Sequence, residues 1–301
     1  MKISWQEKAL LYVKKPGQAL RARRIDMRRI ESAVMALGPN RNMTTLTASL
    51  IALHPNCQVL NNAGYRHMDR AEALLENPSD GEFEHFVRSA IYKSQGGRRG
   101  HYGGAITLSH AFDRPAIRDA YRARYGSAVL KDDVRCVYWK SAVQLTAMVR
   151  KKKIDLSDVV TRHNKVRFLM PIRNPLDCAM SNLRLGHYRH FPEVDGQPAD
   201  KVVDFFIQLI SDFLDNRKKH PNNFFCYFQS EFGRQTLVDL ASFLRVPADE
   251  TWITNCLQSR LKGKPYTYEP GLREAYEASI EQRLAAHPEE AAVLRAMATE
   301  A

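Results

Sequence analysis

An arginine and a serine eight residues apart, Arg173 and Ser181, lie in the stretch Val166-Arg-Phe-Leu-Met-Pro-Ile-Arg-Asn-Pro-Leu-Asp-Cys-Ala-Met-Ser181. A guanidinium and a hydroxyl aimed at one point form a clamp for a phosphate or sulfate group, because charge-assisted hydrogen bonds to oxyanions are strong and geometrically selective. Val166 to Ile172 is apolar at Val166, Phe168, Leu169, Met170 and Ile172, the pattern of a strand covered on both faces. Pro175 suits the first turn of a helix. Arg173 then falls at the carboxyl edge of the strand, where open α/β sheets bind ligands, and Ser181 lies about two turns into the helix, on the same side. Taken by itself the stretch is equally compatible with an arginine that ends a strand and a serine on a helix face.

A second motif lies upstream. Ile30 to Leu37 contains the apolar run Ala33, Val34, Met35, Ala36, Leu37 and ends in Gly38-Pro39, a turn signal. Asn40, Arg41, Asn42, Met43, Thr44 and Thr45 follow, and then Leu46, Leu50, Ile51 and Leu53 at helical spacing before His54-Pro55. A strand, a loop and a helix in this order direct backbone N–H groups and the positive end of the helix dipole at an anion. Arg41 adds a full charge, and Thr44 and Thr45 add hydroxyl donors. The Gly-Lys-Ser/Thr of nucleotide triphosphatases, which positions magnesium and a γ-phosphate, is absent, so a phosphate site without metal is expected.

Together the two motifs resemble the sulfotransferases that use 3′-phosphoadenosine 5′-phosphosulfate (PAPS). In that family a Pro-Lys/Arg-Ser-Gly-Thr-Thr loop binds the 5′-phosphosulfate, and an Arg-x-Pro segment with a serine eight residues after the arginine binds the 3′-phosphate. Pro39, Arg41, Asn42, Met43, Thr44 and Thr45 look like the first, and Arg173, Pro175 and Ser181 look like the second. The departures are Asn40, an extra residue after the proline, Asn42 in place of the serine, and Met43 in place of a glycine that would accept positive φ at no steric cost. The resemblance runs from about Ile30 to about Gly263. It implies that Lys140, which ends the apolar run Arg135-Cys-Val-Tyr-Trp139, contacts the transferring sulfuryl group, so that Arg41 and Lys140 are the catalytic cations. It also implies that Lys262 and Gly263, in Arg260-Leu-Lys-Gly-Lys264, close on the 3′-phosphate. Phe224 to Phe228 and the helix after it look like the family's late strand and helix.

The implied reaction moves a sulfuryl group from PAPS to a hydroxyl or amine of an acceptor, a glycan or acidic small molecule among the candidates, with 3′-phosphoadenosine 5′-phosphate (PAP) as product. The base that relatives carry after the strand-end lysine, or after the first helix, is missing: Ser141-Ala142 and Asn61-Asn62 stand there. Candidates elsewhere are His67, Asp69 and His101, with His187 and His190 in Gly186-His-Tyr-Arg-His190 beyond the phosphate helix. Histidine's ordinary pKa suits the task.

The elements that have to hold these residues read as an α/β fold, a mostly parallel sheet flanked by helices in three layers, in a single domain over 1–301. Its parts are a basic N-terminal arm or helix (1–29, with Arg21, Arg23, Arg24, Arg28 and Arg29), a loop and helical insertion (77–130) that could form a lid, and C-terminal helices (270–301). Residues 77–104 read as a loop rich in Gly, Ser, Asp and Arg. Lys201 to Lys219 is an amphipathic helix with Val202, Phe206, Leu209, Ile210 and Phe213 on one face. Lys and Arg number 45 and Asp and Glu 33, a net charge of +12 that favours an anionic partner. The five cysteines are scattered without Cys-x-x-Cys spacing and read as reduced, buried thiols. No run of about 18 apolar residues suggests a membrane span, and a cytoplasmic protein is expected. Two other readings stay open. A small-molecule kinase would need the missing metal-holding signature, and a polyanion-binding or nucleic-acid-binding protein would need a recognition module that is not legible here.

Overall fold

Four apolar runs and one mixed segment become five parallel strands because each carries residues that two opposite layers can bury. A computed structural model describes residues 16–62, 65–97, 104–259 and 266–299. The strands are β1 (Ser32–Ala36), β2 (Cys57–Asn61), β3 (Cys136–Lys140), β4 (Val166–Ile172) and β5 (Phe224–Phe228), in the order β2-β3-β1-β4-β5 and all parallel. Side chains alternate between two cores. Ala33, Met35, Val137, Trp139, Phe168 and Met170 face one, while Val34, Ala36, Tyr138, Leu169 and Tyr227 face the other. The sheet is therefore the middle of three layers.

The connections decide where the ligand crevice falls. Helix α1 (residues 16–24) precedes β1. Helix α2 (Thr44–Ala52) leaves β1 and packs on the second face through Ala48, Leu50 and Ile51. After β2 come α3 (Tyr65–Glu76), α4 (Asp80–Ser94) and α5 (Pro115–Tyr125). Helices α6 (Ala142–Lys152), α7 (Leu156–Arg162) and α8 (Pro175–Leu185) follow β3 and β4 on the first face, through Val143, Val159 and Leu176 among others. Central β1 thus sends its helix to one face while its neighbours β3 and β4 send theirs to the other, and a crevice opens above the carboxyl ends of the three. The remaining helices are α9 (Ala199–Lys219), α10 (Arg234–Leu244), α11 (Glu250–Gln258), α12 (Leu272–Arg283) and α13 (Pro288–Thr299).

Most of the stretch 77–104, expected as a loop, is helix α4 instead. Ser79 caps it by accepting a hydrogen bond from Glu82 N–H at 3.3 Å, and Phe83, Phe86, Val87, Ala90 and Ile91 bury one face. A cap and an apolar stripe outweigh the glycine and serine content. All five cysteines are free and buried. Among the described residues no helix is long and apolar enough to cross a membrane.

Candidate anion-binding active site

The loop between β1 and α2 is bent by two left-handed residues. Arg41 has φ 65° and Met43 φ 56°, so the methionine takes the positive-φ conformation that a glycine would supply freely. Each such residue costs about 1–2 kcal/mol, and pinning from several sides holds the loop in place. Asn42 Oδ1, buried, accepts the backbone N–H of Arg173 at 2.8 Å. Asn182 Nδ2 donates to the Asn40 carbonyl at 2.7 Å, and Gly38 N–H donates to Thr146 Oγ1 at 2.9 Å. Below the loop, Thr47 Oγ1 and Tyr227 OH share a buried hydrogen bond of 2.6 Å.

This bending turns the start of α2 into the floor of a cavity of about 730 Å³. Met43 occupies the N-cap position and provides no side-chain hydrogen bond to the helix start, so the first N–H groups of α2 are open to a ligand. Arg41, Met43, Thr44, Thr45, Lys140 and Arg173 all line the cavity. Neighbouring strands lie about 4.8 Å apart, so Lys140 on β3 and Arg173 beyond β4 flank the β1 loop across about 10 Å.

Each cation is held differently. Arg41 Nε donates to Ser181 Oγ at 3.0 Å, and Ser181 is fully buried. Arg173 Nη2 pairs with Asp177 Oδ2 at 3.0 Å, one helical turn on, and Asp177 Oδ1 accepts from Tyr268 OH at 2.8 Å. Burial pushes the Lys140 ammonium down to about 8, and its amine has no partner among the described residues. Sequence reasoning missed Arg114, Arg184, Gln229 and Tyr266, which also line the cavity. The Tyr266 ring lies 5.9 Å from the Arg173 guanidinium and 5.5 Å from that of Arg184. Arg184 lies on α8 one turn past Ser181, where helical spacing signals it, whereas Arg114, Gln229 and Tyr266 come from segments distant in sequence and no pattern signals them. No carboxylate is among the described lining residues.

Not every expected residue arrives at the cavity. Asn42 anchors the loop and Ser181 holds Arg41, and neither lines the cavity wall. His67 is buried elsewhere: it packs edge-on to Trp139 with ring centroids 4.9 Å apart and sits 4.6 Å from Phe86. Burial drives its pKa well below the ordinary histidine value, and its Nδ1 meets Ser89 Oγ at 3.1 Å. Asp69 is exposed on α3 and does not line the cavity either. His187 and His190 do line it. His101, Lys262 and Gly263 lie outside the described residues.

No protein-family model matches the chain, and no curated protein matches it. Among solved structures it is similar to a sulfotransferase from Alicyclobacillus acidocaldarius, at 13% identity over 88% of this chain and 98% of that one, with a TM-score of 0.43. It is likewise similar to a mouse sulfotransferase complexed with PAP, at 10% identity over 96% of both chains and TM-score 0.42. A sulfotransferase from Mycobacterium avium shares 11% identity over 92% of this chain and 80% of its own, with TM-score 0.42. All three of these solved structures are sulfotransferases.

Proposed function

We propose that the protein transfers a sulfuryl group from PAPS to a hydroxyl or amine of a polar acceptor. The observation that carries this reading is the convergence of Arg41, Lys140 and Arg173, from three adjacent strands, on an uncapped helix N-terminus. PAPS bears two separated anionic groups, and the cavity offers two separated cationic positions. Arg41 and the N–H groups of Thr44 and Thr45 would hold the 5′-phosphosulfate, and Arg173 the 3′-phosphate. The donor supplies the sulfuryl group and departs as PAP. Lys140 and Arg41 offset charge on the equatorial and leaving oxygens, the principal work of a protein in such a transfer.

Asp177 fits this reading as a holder of Arg173. It takes one N–H of the guanidinium and leaves the others for a ligand. The polar walls, with Asn62, Gln144, Gln229, Arg114 and Arg184, favour a hydrophilic acceptor such as a glycan or acidic small molecule over an apolar phenol. Reduced, buried cysteines suit a cytoplasmic reaction. Calorimetry with PAP tests the donor. PAP is expected to bind more tightly than ATP or AMP; equal or weaker binding of PAP sinks the reading.

A further inference from the structure

An acceptor hydroxyl has to lose a proton as its oxygen bonds to sulfur, and a base positioned on the cavity wall accelerates that step. Among the described lining residues the nitrogen bases are Lys140, His187 and His190. Lys140 ends β3 beside the β1–α2 loop, where a bound anion would favour its charged form. The two histidines sit on a single 3-10 turn, His187–His190, which leaves α8 through Gly186 in the left-handed conformation (φ 68°) and packs against α6. Both helices that bound this turn begin at the site, α6 right after Lys140 and α8 right after Arg173.

The two rings are not equivalent. His190 is exposed, whereas His187 is half-buried and feels the charge of Arg41, the loop cation that holds the sulfuryl end in the reading above. Burial first, then His190 and Arg41, lower the His187 pKa. The charged groups on the elements around it are Asp177 and Arg184 on α8, Arg189 on the turn itself, and Arg150, Lys151 and Lys152 on α6, of which Asp177 is paired with Arg173, Arg150 with Glu193 and Asp212, and Lys152 with Glu72 and Glu76. With its pKa lowered, His187 is a neutral imidazole at neutral pH, with a lone pair available.

We propose that His187 is the general base of the transfer, an inference that rests on the sulfuryl-transfer reading. A ring nitrogen of His187 takes the proton of the acceptor hydroxyl while its oxygen bonds to sulfur. The bond between sulfur and the 5′-phosphate oxygen breaks, and its electron pair leaves with PAP. The base thus comes from the turn after α8 rather than from the strand-end position where Ser141 and Ala142 stand.

Water serves as the acceptor in the test, since it is available whatever the natural acceptor is. Release of labelled sulfate from sulfur-labelled PAPS is measured for the wild type, for His187→Gln and for Arg189→Gln, an exposed neighbour on the same turn that does not line the cavity. His187→Gln is expected to lose about 100-fold or more in rate, to lose the acidic limb of the rate profile, and to bind PAP as tightly as the wild type. Arg189→Gln keeps both properties. A second readout needs no turnover: the histidine ring resonance that vanishes in His187→Gln titrates at higher pH once PAP is bound. Equal rates for His187→Gln and the wild type, a ring titration indifferent to PAP, or no sulfate release from a wild type that binds PAP would each overturn the assignment. A wild type that binds no PAP overturns the donor reading and this proposal together.

Discussion

Asp177 makes Arg173 a more demanding residue than a lone strand-end cation. Their side chains are only 13% and 10% exposed, so removing the arginine strands a carboxylate in a largely dry place. Breaking one partner of such a pair costs about 3–5 kcal/mol of stability, more than the pair contributes net. Arg173→Ala should therefore lower the urea midpoint, and Arg173→Ala combined with Asp177→Ala should recover most of it. Binding should behave otherwise: both variants should lose about 2–5 kcal/mol of PAP affinity, as expected when one member of a desolvated charge contact is truncated. A double variant that regains PAP affinity along with stability would remove Arg173 from the site. Lys140 carries a different signature. Its ammonium, held down to about 8 by burial, is charged below that pH and neutral above it. PAPS affinity is expected to fall as pH rises from 7 to 9, and PAP, which lacks the sulfuryl group, to fall less. In Lys140→Ala this limb should be absent; its persistence would assign the titration to another group.

At the scale of elements, the β1–α2 loop is a strained segment held by its neighbours. Asn42 is the tie between two anion-binding stretches, since its Oδ1 receives the Arg173 backbone N–H. Asn42→Ala leaves that N–H unpaired, at a cost of about 1–3 kcal/mol. The variant should unfold at lower urea and bind PAP more weakly, although Asn42 does not line the cavity; unchanged stability would show that the loop is held by its other contacts alone. The elements that carry the site were legible because their residues signal locally. Strands β1, β3, β4 and β5 are apolar runs ended by turn residues or cations, and Pro175 announces α8. Strand β2 was not read, since Cys-Gln-Val-Leu-Asn mixes polar with apolar residues. Its Gln58 is nevertheless buried, because Ser94, the Val129 carbonyl and the Lys131 N–H satisfy its amide. Helix α4 was hidden for a similar reason, with small polar residues at its start. Arg41, Thr44 and Arg173 are readable from local pattern and Lys140 from the family resemblance, whereas Arg114, Gln229 and Tyr266 reach the cavity through long-range closure that leaves no periodic trace.

On the scale of the whole molecule, the core contains bases that folding keeps uncharged, and they set how stability depends on pH. Lys131 is only 6% exposed, its ammonium nitrogen has no hydrogen-bond partner among the described residues, and it lies over the rings of Tyr121 and Tyr125. Burial pulls its pKa down to about 6. The unfolded chain holds that proton up to about pH 10.4, so between roughly pH 6 and pH 10 the unfolded state binds more protons than the folded one and stability rises with pH. His67, pushed well below the ordinary histidine value, acts in the same direction lower down, because the unfolded chain begins to take up its proton as pH falls through about 6.5. The fold should therefore weaken steadily on acidification, and a net charge of +12 that grows as carboxylates are protonated adds self-repulsion. Lys131→Met separates these contributions. It preserves much of the side-chain volume and removes the buried amine, so the variant should be more stable than the wild type, with the largest advantage at and below pH 6. Across the window above pH 6 that advantage should shrink by up to about 1.4 kcal/mol per pH unit, the slope for one proton. Urea unfolding at pH 6, 8 and 10 checks this. Parallel stability curves for variant and wild type would mean that Lys131 keeps its proton in the folded state, stabilised by the two tyrosine rings rather than neutralised beneath them.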